Sequence, residues 1–291
     1  MSTVELEKKA NQIRQDIIEM LVEAGSGHSA GPLGMADIFA ALYFRVMRHD
    51  PKKPDWEERD RLILSNGHIV PVRYAAMARA GYFPLKELKT LRKFGSRLQG
   101  HPERVRLPGL ETTSGPLGSG LSAACGMALA LKMDGKKDQR VYCVTGDGEL
   151  DEGNIWEAIM FGSKYELSNL TVIVDRNNIQ IDGPTEKVMP LENLAAKWES
   201  FGWHVIEIDG HNIQTVIDAC NMAKAIENRP VVIIAHTIPG KGVDFMEYDF
   251  HWHGVPPGLQ DMEGAPAKAE QAKVALHELR TLGGRIRGEH E

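Results

Sequence analysis

Residues 146–183 read GDGELDEGNIWEAIMFGSKYELSNLTVIVDRNNIQIDG. The run Val141 to Thr145 stops at Gly146-Asp147-Gly148, and the run Leu170 to Asp175 stops at Asn177-Asn178. Both runs are short, apolar and rich in β-branched residues, so each reads as a buried strand ending in a polar turn. Between them, about Gly153 to Tyr165 reads as a helix. Strand, helix, strand is the crossover unit of a parallel sheet.

Ligands of open parallel sheets lie beyond the carboxyl ends of the strands, so two such turns on neighbouring strands face one crevice. Asp147 offers a carboxylate, Asn177 an amide oxygen, and the turn through Ile179 a backbone carbonyl. That all-oxygen set suits a hard cation such as Mg²⁺ or Ca²⁺. Gly148 lets the backbone approach a phosphate closely. Asp147, Glu149, Asp151 and Glu152 together would repel a bare diphosphate. Unit charges about 4 Å apart interact by roughly 1 kcal/mol in water and about 4 at an effective dielectric near 20, so a divalent ion must bridge them. The reading is a metal–diphosphate site. Either turn alone is equally an ordinary tight turn; the pairing on successive strands carries the specificity.

Outward from this unit, the amino-terminal 25 residues form a charged amphipathic helix, Met35 to Met47 is helical, and Pro51 to Arg59 is a polar linker. Arg61 to Ser65 reads as a strand. Val72 to Ala80, Pro84 to Phe94 and Gly118 to Met133 read as helices. Trp203 to Ile208 and Val231 to Ala235 read as strands about a helix over Ile213 to Ile226, and Pro266 to Leu282 as a last helix before a polar tail. The alternation predicts an α/β fold, a three-layer domain with a mostly parallel central sheet. It is taken as one domain over 1–291, with a helical tail from about 266 to 291.

The 291 residues are 42% hydrophobic, enough for a sizeable core. A net charge of −6 and a pI near 6.0 leave no electrostatic footprint for nucleic acid or an anionic membrane. Cys125, Cys143 and Cys220 lack metal-ligand spacing and read as small buried hydrophobes of a reducing compartment. The amino terminus has no uninterrupted apolar stretch, so neither a signal peptide nor a spanning helix is expected, and the expected location is the cytoplasm.

Gly-Asp-Gly, an acidic helix and an Asn turn resemble the signature of thiamine diphosphate enzymes. The wording is most similar to the transketolases, through Ser26-Gly27-His28 followed by Gly31-Pro32-Leu33-Gly34, Leu64-Ser65-Asn66-Gly67-His68, Gly100-His101-Pro102, Ser114-Gly115-Pro116-Leu117-Gly118 and Trp252-His253-Gly254. The resemblance covers nearly the whole chain and implies a thiamine diphosphate-binding fold. It implies that Asp147, Asn177 and Ile179 hold Mg²⁺ and that Gly115, Pro116 and Leu117 touch the cofactor, as does Gly148. His28, His68, His101 and His253 would line the substrate channel, with His68 and His253 also reaching the diphosphate. Histidine suits this because its ordinary pKa of about 6.5 lets it donate or accept near neutral pH. Glu152, with Glu157 five residues on, is implied to sit at a subunit interface, although acids there also favour a helix start.

Departures from the family wording are informative. Ser119 stands where relatives often have Gln, and His236 and Pro239 replace two lysines of a basic loop, leaving Lys241 as a partial substitute for a phosphate contact. Gly118-Ser119-Gly120-Leu121-Ser122-Ala123 fits a dinucleotide fingerprint, but no strand precedes it and Asp138 lies before the next strand instead of ending it. His49, His204, His277 and His290 lack glycine-flanked contexts.

In transketolases the glutamate that activates the cofactor's aminopyrimidine belongs to a separate pyrimidine-binding domain, which does not follow the Trp-His-Gly block here. The resemblance therefore implies the N-terminal, diphosphate-binding subunit of a split transketolase, paired with a C-terminal subunit in an expected heterotetramer. The pair would move a two-carbon ketol unit from a ketose or its phosphate to an aldose. Standard pentose phosphates and a branched sugar phosphate are equally compatible. Open alternatives are an α-subunit of 2-oxoacid dehydrogenase type, which lacks the His28, His68 and His101 blocks; a deoxyxylulose-phosphate synthase, which lacks the Asn-Gly-His and Gly-His-Pro wording; and a non-catalytic metal–diphosphate-binding subunit.

Overall fold

The computed structural model describes residues 1–281. It opens on α1 (Thr3–Ala24), where Ser2 Oγ accepts from the Glu5 N–H at 3.3 Å and Glu5 accepts from the Ser2 N–H at 2.7 Å. This reciprocal pair satisfies donors that a helix start leaves open. Next come α2 (Ala30–Gly34), α3 (Ala36–Ala41) running into a π-turn over Leu42–Val46, β1 (Arg61–Leu64) and α4 (Val70–Ala80). Pro84 to Phe94 is not the expected α-helix: only Leu85–Thr90 is helical, as a 3₁₀ piece. In the expected span only Leu88 and Leu91 are buried, and Arg92 at a left-handed φ of 59° cannot continue a helix.

The crossover is present as read: α5 (Ser119–Met133), β2 (Val141–Gly146), α6 (Gly153–Lys164) and β3 (Leu170–Arg176). A hairpin of β4 (Ile179–Gln180) and β5 (Gly183–Pro184) follows, with α7 (Thr185–Val188), α8 (Leu194–Ser200), β6 (His204–Asp209), α9 (Ile213–Ala225) and β7 (Val231–His236). The helix expected over Pro266 to Leu282 is α10 (Lys268–Thr281); the rest of the expected tail, residues 282–291 with His290, lies outside the described residues.

Strand order is β1-β2-β3-β7-β6, and every pair in this sheet is parallel. Successive side chains of a strand point to opposite faces, and both faces here are covered. Val141, Cys143, Leu170, Val172 and Val174 pack with α5, α6 and α8, while Tyr142, Val144, Ile173 and Ile233 pack with α1, α3, α4 and α9. Covering on both sides explains why β3 and β7 read as continuous apolar runs without alternation. The architecture is the three-layer α/β arrangement, and all three cysteines are buried and unpaired.

Register sets the site. Gly146 lies beside Asp175 and Arg176 beside His236, so β2, β3 and β7 end level and release Asp147, Asn177 and Thr237 at one edge. The start of α5 presses against β1 here: a Cβ on Gly120 would fall 2.5 Å from Ser65 Cα, so only glycine fits.

Candidate active site

Beyond that edge lies a crevice of about 300 Å³. Its walls include His28, His68, His101 and His253 with Gly115, Leu117, Asp147, Gly148, Asn177 and Ile179. Residues from seven sequence blocks thus meet in one place. Pro116 lies between two lining residues without lining the crevice itself, its carbonyl accepting from Ser119 Oγ at 2.8 Å. Lys241 is not on the wall either; it sits among Glu247, Arg14, Asp37 and Asp209, where burial pulls its pKa down. The expectation that Lys241 stands in for a phosphate-contacting lysine has no support from this placement. Glu152 and Glu157 are both exposed on the α6 side.

Asn66, Glu149, Asp175, Gln180 and Ile181 also line the crevice; of these the sequence points only to Glu149, as one of four acids near the ligand. Asn66 and Glu149 sat inside quoted motifs, and Asp175 ended the second strand.

The charge reading needs correction. Asp147 is buried, and its Oδ2 accepts from Arg176 Nη1 at 2.9 Å, the Asn178 N–H at 2.7 Å and Thr185 Oγ1 at 3.3 Å. Glu149 turns inward, accepting from Ser65 Oγ, the Gly118 N–H at 2.6 Å and the Gly146 N–H at 3.1 Å. Asp151 is taken by Gln180 Nε2 at 2.9 Å. Four free carboxylates do not face the ligand space, so the repulsion argued from the sequence is overcounted. Arg176, which also pairs Glu186 at 2.7 Å and Glu192 at 2.8 Å, is the residue local sequence could not place.

The remaining oxygens fit a cation. Asp147 Oδ1 carries a single hydrogen bond, from the Gly148 N–H at 2.7 Å, while Oδ2 is saturated. Asn177 gives its Nδ2 to Asp175 Oδ2 at 2.9 Å, leaving Oδ1 as its acceptor side with one donor, the Ile179 N–H at 3.1 Å. Among the described residues no group of three or more His, Cys, Asp or Glu could hold a metal. Mg²⁺ does not need one, since it is commonly bound through one or two carboxylates plus ligand phosphates. A Cβ on Gly148 would fall 2.7 Å from the Gln180 side chain, and one on Gly115 would meet open space.

Histidines form the opposite wall. Ring centroids are 4.7 Å apart for His28–His68, 5.4 Å for His28–His253 and 5.2 Å for His68–His253. Burial, then His253, Arg92 and His101, pull the His28 pKa down to about 3; burial and its histidine neighbours hold His68 well below its ordinary value. Burial with Arg92 lowers His101, and burial lowers His253. All four are therefore neutral at pH 7, not poised at 6.5 as unperturbed imidazoles would be. Nδ1 of His28 and of His253 is buried without a partner, an arrangement that a bound ligand or water completes.

A parallel sheet with a crevice of about 300 Å³ at its carboxyl edge, floored by oxygens, has the layout of a ligand-binding α/β domain. The family model described as "Transketolase, thiamine diphosphate binding domain" matches residues 6–272. The 6-deoxy-6-sulfo-D-fructose transketolase subunit SqwG of Clostridium sp. (strain MSTE9) is 44% identical over 268 residues, 92% of this chain and 97% of that protein. An apulose-4-phosphate transketolase subunit of Phocaeicola vulgatus is 41% identical over 272 residues, 93% of this chain and 95% of that one. The crystal structure of transketolase from Campylobacter jejuni superposes with a TM-score of 0.83 at 34% identity, covering 94% of this chain but 43% of that one. The chain belongs to the transketolase family and comprises its thiamine diphosphate-binding domain, spanning less than half the length of the solved transketolase.

Proposed function

We propose that this chain is the N-terminal subunit of a split transketolase, working with a separate chain that carries the pyrimidine-binding domain. The observation that supports it best is the crevice, where an oxygen floor at the ends of β2 and β3 meets four neutral histidines. Near end-to-end coverage of two relatives named as transketolase subunits supports the split.

In this reading Asp147 Oδ1, Asn177 Oδ1 and the Ile179 carbonyl are donors to Mg²⁺, or to Ca²⁺ in its place. Gly148 and the Gly115–Leu117 loop, with Pro116 shaping its turn, lie against the cofactor. When bound, thiamine diphosphate supplies the electron sink that makes carbon–carbon cleavage next to a carbonyl feasible. The chain's own part is positioning and proton traffic. Nδ1 of His28 and of His253 has no partner within the described residues, which leaves both rings with hydrogen-bonding capacity for a ligand. Neutral imidazoles there hydrogen-bond sugar hydroxyls and carry a proton to or from the sugar oxygen as the ketol unit moves. His68 and His253 also approach the diphosphate. The substrates are sugars or sugar phosphates; relatives named for a sulfo-fructose and for apulose 4-phosphate suggest a sugar with an anionic end.

Cofactor sites shared between two kinds of chain make a heterotetramer, with exposed Glu152 and Glu157 at a subunit contact. The test is reconstitution. This chain mixed with its partner, thiamine diphosphate and Mg²⁺ is expected to transfer a ketol unit between sugar phosphates, and this chain alone is expected to be inactive. Turnover by the single chain would sink the split reading, and an inactive pair that binds the cofactor would favour a non-catalytic role.

A further inference from the structure

The amide of Asn177 is symmetric in shape and could turn either end toward a metal. Its neighbours decide which. Asp175, fully buried near the end of β3, receives Asn177 Nδ2 on its Oδ2 at 2.9 Å, which turns the amide oxygen away from it. Its other oxygen, Oδ1, receives the hydroxyl of Thr237, the first residue after β7. Thr237 is seated in turn: its own N–H donates to the Arg176 carbonyl at 3.3 Å, and the next N–H, of Ile238, donates to His211 Nε2 at 2.7 Å. His211 Nδ1 lies 2.9 Å from Asp37 Oδ2, and Arg14 grips both oxygens of the Asp37 carboxylate. Since Nε2 of His211 accepts, the ring proton is on Nδ1, and the ring is a neutral strut between Asp37 and the loop. Gly34 closes the seat, because a Cβ there would fall 2.8 Å from the Ile238 carbonyl.

We propose that Asp175, held by Thr237, is a positioning residue that fixes the Asn177 amide so that its oxygen faces the metal, with the Arg14–Asp37–His211 chain anchoring Thr237. The arrangement is the outer layer by which ligand orientation is commonly imposed on a metal site, and loss of such a partner weakens metal binding about 10- to 100-fold. It explains why a carboxylate is buried here with two neutral hydrogen-bond donors and no cation partner among the described residues. This inference rests on the cofactor reading above for what the amide faces, but not for the amide's orientation itself.

The test uses the chain reconstituted with its partner subunit and thiamine diphosphate, titrated with Mn²⁺ and read by loss of the free-ion EPR signal. Asp175→Asn, whose amide can present either end to Asn177, is expected to weaken Mn²⁺ about 10- to 100-fold. Thr237→Val is expected to weaken it in the same direction, and Thr237→Ser to stay close to the unaltered chain. A metal-free readout separates the two claims: the Asn177 side-chain NH₂ resonances should be slow to exchange in the unaltered chain and fast in Asp175→Asn. Unchanged Mn²⁺ affinity in Asp175→Asn, or unchanged Asn177 exchange, would overturn the positioning role. If Asp175→Asn does not fold, equal Mn²⁺ affinity in Thr237→Val and Thr237→Ser overturns it. An unaltered chain that binds no Mn²⁺ yet shows a protected Asn177 amide refutes the cofactor reading instead.

Discussion

The two walls of the crevice are built on opposite principles. The oxygen floor is densely satisfied: Asp147 accepts four hydrogen bonds, Glu149 is turned into the protein by three donors, and Asp175 is matched on both oxygens. On the histidine wall, rings lean on one another within 5.4 Å, and two buried Nδ1 atoms have no partner. The floor is organised before any ligand arrives, and the wall is left for the ligand to complete. Such a division suits a cofactor that must be held in one place while substrates of varied length come and go.

The floor should therefore break harder than the wall. Asp147→Ala removes the central carboxylate and strips the buried Arg176 of its best-buried partner, leaving it Glu186 and Glu192, which are 37% and 58% exposed. Removing one member of a buried pair costs about 3–5 kcal/mol. Denaturant unfolding should show a loss toward the lower end of that range, since two carboxylates remain, and metal-dependent cofactor binding by calorimetry should vanish. A stable variant that still binds the cofactor with Mg²⁺ would mean the floor is not a metal site.

The wall should break in function alone. His28→Ala and His101→Ala, assayed with the partner chain, are expected to lower kcat/KM by about 10²–10⁴, the range for loss of a general acid–base group. Both side chains are only part-buried, so stability should shift by no more than about 1 kcal/mol. Near-wild-type turnover in both variants would demote the wall to packing and revive the non-catalytic reading.

The same contrast governs what could be read from the sequence. Strands β2 and β3, the helix between them and the histidine loops were legible because periodicity and turn chemistry are local signals. The five-residue helix α2, AGPLG, was not, since two glycines and a proline argue for a loop. It forms because every one of its residues is buried beneath neighbouring elements. The hairpin β4–β5 and helix α8 were too short to show a period. Glu149 and Arg176 were misplaced or missed for one reason: their partners Ser65, Gly118, Glu186 and Glu192 arrive from other elements, and only the folded chain decides which acids face the ligand. The surroundings of Lys241 were no more legible, since beside Glu247 of its own loop they include Arg14, Asp37 and Asp209 from other elements.

The smallest effect concerns stability, and it sharpens the difference between a satisfied floor and an unsatisfied wall. His28 is held neutral, its pKa lowered by burial first to about 3, whereas in the unfolded chain it titrates near 6.5. Between those values the unfolded state binds more protons than the folded one, so stability rises with pH through this window and falls on acidification. Above about 6.5 this pH dependence vanishes. At pH 5.5 a fully buried group of this kind would cost on the order of 1 kcal/mol, and partial exposure of His28 reduces that. Urea unfolding at pH 7.0 and 5.5 should show the chain losing stability, and His28→Gln, which keeps a polar group but cannot titrate, losing measurably less. Anions should oppose the loss: a diphosphate against this wall favours the imidazolium, so bound thiamine diphosphate with Mg²⁺ is expected to flatten the slope. An equal slope in His28→Gln would show that the wall is solvated enough to titrate as in water, and that its unpaired nitrogens are already met by solvent.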